Sequence, residues 1–289
     1  MNILLCGTSG FVGRHIEAAL LIAGHNVKRG VRHALHANDI KVDFRNDVDV
    51  ASWLPRLQNI DAVINAVGVL RDSPAQPMAQ LHDAVPRALF AAAAQSGIKR
   101  IVQVSALGVG NGINTPYMQS KQTADDFLQT LNVDWAILRP SLIYGSDGAS
   151  TRMFMLLSHL PVVMLPGDGK QIVQPVHIND ISQAVVNLLA IPSNPAWRSV
   201  IECVGTEKVS MAALIASYAT QRGSKAPWIL VMPTPLLKIV AWLGDQIPSM
   251  PIGSDTLAML EAGTMGNGDR FIQLLGRAPV NYRDFLHAI

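Results

Sequence analysis

A chain of 289 residues, 49% of them hydrophobic, has the material for a sizeable core in one large domain or a domain with a subdomain. Its 23 Lys and Arg stand against 21 Asp and Glu, a formal net charge of +2, and no basic run is long enough to make a nucleic-acid surface. The two cysteines, Cys6 and Cys203, form neither a disulfide framework nor a CxxC site, so a reducing compartment, the cytoplasm, is expected.

The N-terminal "MNILLCG" has no basic leader and too short an apolar run for a signal peptide, and it reads as a strand at 2–6. "FVGRHIEAALLIAG" at 11–24 reads as a helix. Further strands are expected at 26–32 ("NVKRGVR"), 40–44 ("IKVDF"), 61–67 ("DAVINAV"), 100–106 ("RIVQVSA") and 134–140 ("DWAILRP"), with helices at 78–96 and 116–131. Strand and helix in alternation predict an α/β fold, a doubly wound and mostly parallel Rossmann sheet with its ligand crevice at the carboxyl ends of the strands. After about residue 140 the rhythm loosens. Strands are expected at 171–177 and 198–205, around a helix in "INDISQAVVNLLA", and a mostly helical tail follows. The expected plan is a nucleotide-binding domain over 1–145, its sheet completed by parts of 170–205, and a smaller, mainly helical substrate or partner lobe over 146–289.

Within that tail, "WILVMPTPLLKIVAWLGDQIPSMPIG" is apolar but broken by Pro233, Pro235 and Lys238, so no transmembrane helix is expected. The plain expectation for Trp228, Met232 and Trp242 is core packing. The sharper one is an apolar substrate pocket, or a peripheral membrane or protein-complex contact.

"CGTSGFVGRH" follows the first strand and opens the first helix, with glycines spaced GxxGxxG. Gly7 permits the turn, Gly10 lets backbone approach a pyrophosphate, and Gly13 lets helix pack on strand. Thr8, Ser9, Phe11 and Val12 complete the loop and the helix N-terminus, whose free N–H groups favour phosphate. An NAD site usually carries an acid near the end of the second strand. Here none occurs between Glu17 and Asp39, while Arg32 stands where a 2′-phosphate needs a cation, with Lys28, Arg29 and His33 nearby. NADP(H) is therefore expected over NAD(H), because a guanidinium matches phosphate geometry.

"YMQSK" sets Tyr117 and Lys121 four residues apart, on one face of a helix. Chance alone supplies such a pair in roughly one chain in ten of this composition, so its weight comes from the nucleotide site around it. With "GTSGFVG", "VDF" (42–44), "NAVG" (65–68), "VSALG" (104–108), "LRPSLIYG" (138–145) and "VHINDISQAV" (176–185), it makes the chain resemble the atypical, extended-like short-chain dehydrogenases/reductases. Within them it is similar to the branch of the nucleotide-binding accessory subunit of respiratory complex I. The tail "LLGRAPVNYRDFL" carries this likeness less specifically.

The resemblance implies an NADP(H)-dependent oxidoreductase with Ser105, Tyr117 and Lys121 as its catalytic set. It places Asp43 at the adenine amino group with Phe44 beside it, and Asn65, Ala66, Val67 and Gly68 along the adenosine half. Lys121 falls on the nicotinamide ribose, and Arg139, Pro140 and Tyr144 lead into the substrate lobe. His177 and Asp180 are expected to be structural. "VSALG" lacks the acid that dehydratase branches place after the serine. In the expected chemistry, the Lys121 ammonium lowers the Tyr117 pKa by up to about three units. Tyr117 exchanges a proton with a substrate oxygen that Ser105 holds, and the substrate is small, an apolar carbonyl or a quinone-like molecule. Two other functions compete: a non-catalytic NADP(H)-binding subunit or redox sensor, and a nucleoside-diphosphate-sugar epimerase. Few cations in 226–265 disfavour the epimerase. A homodimer through helices beside the sheet is compatible with the fold.

Overall fold

The structure, a computed structural model, describes residues 1–112, 114–192, 197–246, 253–262 and 265–288. It divides into two compact units, Met1–Arg139 with Ile181–Ile201, and Pro140–Asp180 with Glu202–Ile289.

In the first unit β1 (Asn2–Cys6) leads into α1 (Phe11–Ile22), followed by β2 (Asn26–Val31), β3 (Asp39–Lys41) and the single turn α2 (Val50–Trp53). Then come β4 (Ala62–Asn65), α3 (Val85–Gln95), β5 (Arg100–Val104), α4 (Pro116–Gln129) and β6 (Asp134–Pro140). A π turn over Gln80–Ala84 feeds α3. The expected strand at 40–44 stops at Lys41 because Asp43 turns the chain: its carboxylate accepts the backbone N–H of Arg45, and its carbonyl accepts from Asn46 and Asp47.

The chain continues through β7 (Ile143–Tyr144), α5 (Ala149–Leu157), β8 (Val162–Leu165), β9 (Ile172–Val173) and β10 (Val176–His177). Next are α6 (Ile178–Ala190) and β11 (Ser199–Cys203). It finishes with β12 (Val209–Ser210), α7 (Met211–Gln221), β13 (Trp228–Val231), α8 (Thr234–Gln246), α9 (Ser254–Ala262) and α10 (Asp269–Leu275).

The main sheet has seven strands in the order β11-β6-β5-β4-β1-β2-β3, and every pairing from β6 to β3 is parallel. Both faces are buried, as a parallel sheet requires. Leu4, Cys6, Val63, Ile101 and Ile137 pack with Leu89 and Phe90 of α3 on one face, while Ile3, Leu5, Ile64 and Val102 are fully buried on the other. Strand order reverses between β1 and β4, and that switch point opens the crevice in which such sheets bind nucleotides. Cys6 and Cys203 are buried, and burial pushes the Cys6 thiol up to about 12, so Cys6 serves as core.

Among the described residues the second unit holds three two-stranded ribbons: β7 with β10, β9 with β12 and β8 with β13. Its core joins Tyr144, Phe154, Tyr218 and Phe285, with Tyr144 and Phe285 stacked at 4.6 Å between centroids. Asp180, fully buried, accepts from Arg277 at 2.6 Å and from the Val280 N–H at 2.8 Å, so it pins the C-terminal tail, while the His177 ring lies 5.3 Å from that of Tyr144. The tail is mostly helical, as expected, but "WILV" at 228–231 is a strand because β8 offers it a parallel partner, Trp228 opposite Val162. One expectation needs correction. Core packing fails for the residues named: Trp228 is 77% and Trp242 61% exposed, and Met232 is half-buried. Residues 247–252 of that segment lie outside the described residues.

Candidate active site

After β1 the chain turns at Gly7 with φ +95°, a left-handed conformation suited to glycine, and the Gly10 N–H donates to the Gly7 carbonyl at 2.9 Å. A Cβ on Gly7 would stand 2.7 Å from the Ala66 carbonyl, so the loops after β1 and β4 meet backbone to backbone. A Cβ on Gly13 would stand 2.1 Å from the Gly7 carbonyl oxygen, so α1 packs against the turn only because residue 13 is glycine. At Gly10 a Cβ would meet only the Gly7 oxygen, at 3.2 Å, and otherwise open space. No side chain caps α1, so the N–H groups of Phe11, Val12 and Gly13 have no intrahelical partner and face that space together with exposed Ser9 and Gly10, while Thr8 is buried. An uncapped helix start beside a cradle that a Cβ would fill fits a dinucleotide pyrophosphate.

At the ribose end, Lys28 bonds Asn38 at 2.8 Å, and Arg29 bonds Asp39 and lies 3.9 Å from Glu17. Arg32 follows β2, exposed, and among the described residues no ion pair or hydrogen bond engages its side chain. Asp43 is less available than the resemblance implies. Its two oxygens take Arg45 twice through the guanidinium and once through the backbone, and Asn46 once, which uses all four acceptor positions of a carboxylate. Those same bonds, chiefly from Arg45, hold its carboxyl well below the usual range. The Phe44 ring is buried edge-on against Trp53, so only its backbone could meet a nucleotide. Asn65, fully buried, donates to Gln103 at 2.9 Å across the β4–β5 register and accepts the Val67 N–H at 3.2 Å, which shapes the segment Ala66–Gly68. Pro140 ends β6 and is buried.

At the other end, Thr115 caps α4 by accepting the Met118 N–H, and Pro116 takes the first helical position. Tyr117, Lys121 and Asp125 follow at every fourth residue, and all three are buried. Lys121 donates from Nζ to the Val104 carbonyl at 3.2 Å, and Nζ lies 5.7 Å from the Tyr117 ring centroid. A Cβ on Gly68 would stand 3.5 Å from Nζ, so the glycine loop, the segment after β4 and Lys121 form one continuous strip. No hydrogen bond engages the Tyr117 hydroxyl among the described residues. Ser105, just past β5, donates its only hydroxyl proton to Asp125 Oδ2 at 2.7 Å, and Arg139 reaches the same oxygen at 3.2 Å.

The electrostatics correct one expectation. Burial raises the Tyr117 pKa above the usual phenol value, helped by the Asp125 carboxylate, and Lys121 does not bring it down. Burial instead lowers Lys121 to about 8, because desolvation penalises its ammonium more than nearby Asp125 compensates. Asp125 is itself raised by burial, against the pull of Ser105, Arg139 and Lys121.

One residue of this site escapes sequence reading. His82, in the π turn before α3, is 1% exposed and meets Tyr117 edge-on at 5.4 Å between centroids. Its Nε2 accepts the Val69 N–H at 3.0 Å, so Nδ1 carries the proton and donates to Ser120 Oγ at 3.0 Å. Burial, with Lys121 beside it, depresses its pKa to about 2, so it stays neutral. A lone histidine ahead of an Ala-rich helix carries no spacing signal that would have found it.

The NAD(P)H-binding family profile matches residues 7–190, well over half the chain, and the chain belongs to that family, among the atypical short-chain dehydrogenases/reductases. It is similar to mitochondrial NADH dehydrogenase [ubiquinone] 1 alpha subcomplex subunit 9 of Rattus norvegicus, 26% identical over 198 residues covering 64% of this chain. Those residues cover 52% of that relative, so the chain spans about half the length of the mitochondrial relatives it matches. The photosystem II assembly factor Ycf39 of Trieres chinensis is 25% identical over 247 residues, covering 83% of this chain and 75% of the relative. Among solved structures, a nucleoside-diphosphate-sugar epimerase of Staphylococcus aureus superposes with a TM-score of 0.77 at 20% identity over all of both chains. The UDP-glucuronic acid 4-epimerase of Bacillus cereus, solved with UDP-glucuronic acid and NAD, gives 0.70 at 21% identity over 100% of this chain and 97% of its own. At these identities the likeness is one of fold.

Proposed function

From membership in the NAD(P)H-binding family, we propose that this protein is an NADP(H)-dependent reductase of a small apolar carbonyl or quinone-like substrate. The carrying observation is the buried Tyr117–Lys121 pair at one end of a continuous strip that starts at the glycine loop. Gly7 to Gly13 would hold the pyrophosphate, Arg32 a 2′-phosphate, and Lys121 the nicotinamide ribose. The bound nicotinamide supplies hydride chemistry. Tyr117 keeps its proton near neutrality, because burial raises its pKa, so it holds a proton to give to a developing alkoxide. Ser105 has its only hydroxyl proton committed to Asp125, so it is not free to donate to the substrate oxygen.

Tyr117→Phe removes the proton donor and no described contact. Its NADPH affinity should match the wild type, and turnover against a panel of aldehydes, ketones, quinones and enones should fall by roughly 10²–10⁴. Absence of NADPH oxidation by the wild type across that panel, with full function retained by Tyr117→Phe in cells lacking the native protein, refutes the reductase. The second reading, a nucleotide-binding subunit or sensor, would then stand. It draws support from the engaged Ser105 and from relatives named as a complex subunit and an assembly factor. The sugar-nucleotide epimerase reading draws on fold neighbours and on a Mycobacterium bovis relative named only as an epimerase family protein.

A further inference from the structure

Apolar exposure on this protein is concentrated. Of nineteen exposed large hydrophobic residues among those described, ten fall in two short stretches of the second unit, 156–164 and 228–243. The β8–β13 ribbon explains part of this. Its register sets Trp228 opposite Val162 and Leu230 opposite Met164, so these four share one face. They are 77%, 46%, 51% and 44% exposed, while Val163 and Leu165 on the reverse are buried. Two residues later α8 begins, with Ile239, Trp242 and Leu243 exposed at spacings of three and four, a single helical stripe, while Ala241 and Gly244 are buried.

The charge of these segments is one-sided. Between Asp147 and Asp168 the only charged residue is Arg152, and between Glu207 and Asp245 Lys208, Arg222, Lys225 and Lys238 occur with no acid. The chain as a whole is nearly balanced, 23 cations against 21 anions, so the cation excess falls in the same stretches of sequence as the exposed apolar residues.

We propose that the second unit docks through this face onto the surface of an anionic phospholipid bilayer. Exposed tryptophans suit the interface between headgroups and acyl chains, where the ring is half in apolar and half in wet surroundings. Lysines in these stretches are drawn to an anionic leaflet. A second copy of the chain fits less well, because a two-fold contact would bring the same cations face to face. The docking is peripheral. Thirteen residues of α8 make about 20 Å of helix against about 30 Å of hydrocarbon, and no described helix is long and apolar enough to cross a membrane. The helix and ribbon therefore lie in the interface plane.

The test uses the full chain with vesicles of phosphatidylcholine alone, or with about one part in three of phosphatidylserine. Trp53, Trp135 and Trp197 are buried, at 0%, 8% and 1% exposure, so a blue shift of emission on binding reports Trp228 and Trp242. The expected result is flotation with phosphatidylserine vesicles, at least about tenfold tighter than with phosphatidylcholine, reversed by salt, and accompanied by the blue shift. Trp228→Ser with Trp242→Ser should weaken binding about tenfold or more and remove the shift without lowering the melting temperature. Lys225→Glu with Lys238→Glu should erase the preference for phosphatidylserine. No association with either vesicle overturns the proposal, as does association undiminished in the double tryptophan variant. Concentration-dependent dimers that ignore vesicles would reassign the face to a protein contact and overturn it equally.

Discussion

Lys121→Met should make the protein more stable and less functional, and the balance should depend on pH. The ammonium is 3% exposed, and burial brings its pKa from 10.5 to about 8. A lowered lysine pKa means that the unfolded chain binds more protons between about pH 8 and 10.5, so stability rises with pH across that window. Below it, a cost of roughly 3 kcal/mol stands in full. Methionine has similar length and no charge, so it removes that cost. It also strips the Val104 carbonyl of its 3.2 Å donor, a loss of about 1–1.5 kcal/mol, and Asp125 of a nearby cation. The net gain near pH 7 is therefore about 1–2 kcal/mol, or a few degrees in melting temperature. It should vanish or reverse near pH 10, where the wild-type lysine is already neutral. Calorimetry of the nucleotide-free protein across this range, with NADPH titrated by fluorescence, measures both sides, and NADPH affinity should drop at least about tenfold. A variant that melts below the wild type at every pH, or a difference that stays constant from neutral to alkaline, would refute the reasoning about the buried ammonium.

Arg32→Ala should weaken NADPH by roughly 1.5–3 kcal/mol and leave NADH nearly unchanged, as read by calorimetric titration of both. Equal wild-type affinity for the two nucleotides would remove the 2′-phosphate role. The glycines separate fold from binding: Gly13→Ala puts a methyl 2.1 Å from the Gly7 carbonyl oxygen and should lower the melting temperature. At position 10 a Cβ meets only that oxygen, at 3.2 Å, so Gly10→Leu should melt near the wild type while losing NADPH binding, and intact binding would deny the cradle its role.

Much of this molecule is written locally. A strand, a glycine-spaced turn and a helix lie within residues 2–22, and each glycine acts on neighbours a few positions away, so the nucleotide cradle is visible in the sequence. Tyr117 and Lys121 share a face of α4 through helical geometry alone, and the alternation of strands and helices dictates a parallel sheet. Other features depend on segments far apart in the chain. Asp125 takes the Ser105 proton across 20 residues, and His82 meets a tyrosine 35 residues on, so neither partnership leaves a spacing to read. The sign of the Tyr117 shift belongs here too: proximity to lysine suggests a lowered pKa, but the desolvation that raises it depends on how deeply the tertiary packing buries both groups. Similarly, "WILVMPTPLLKIVAWLG" reads as core by composition. Only its pairing with β8, more than sixty residues upstream, decides which side chains turn inward, and it leaves Trp228 and Leu230 facing out because a two-stranded ribbon can bury only one of its faces against the unit.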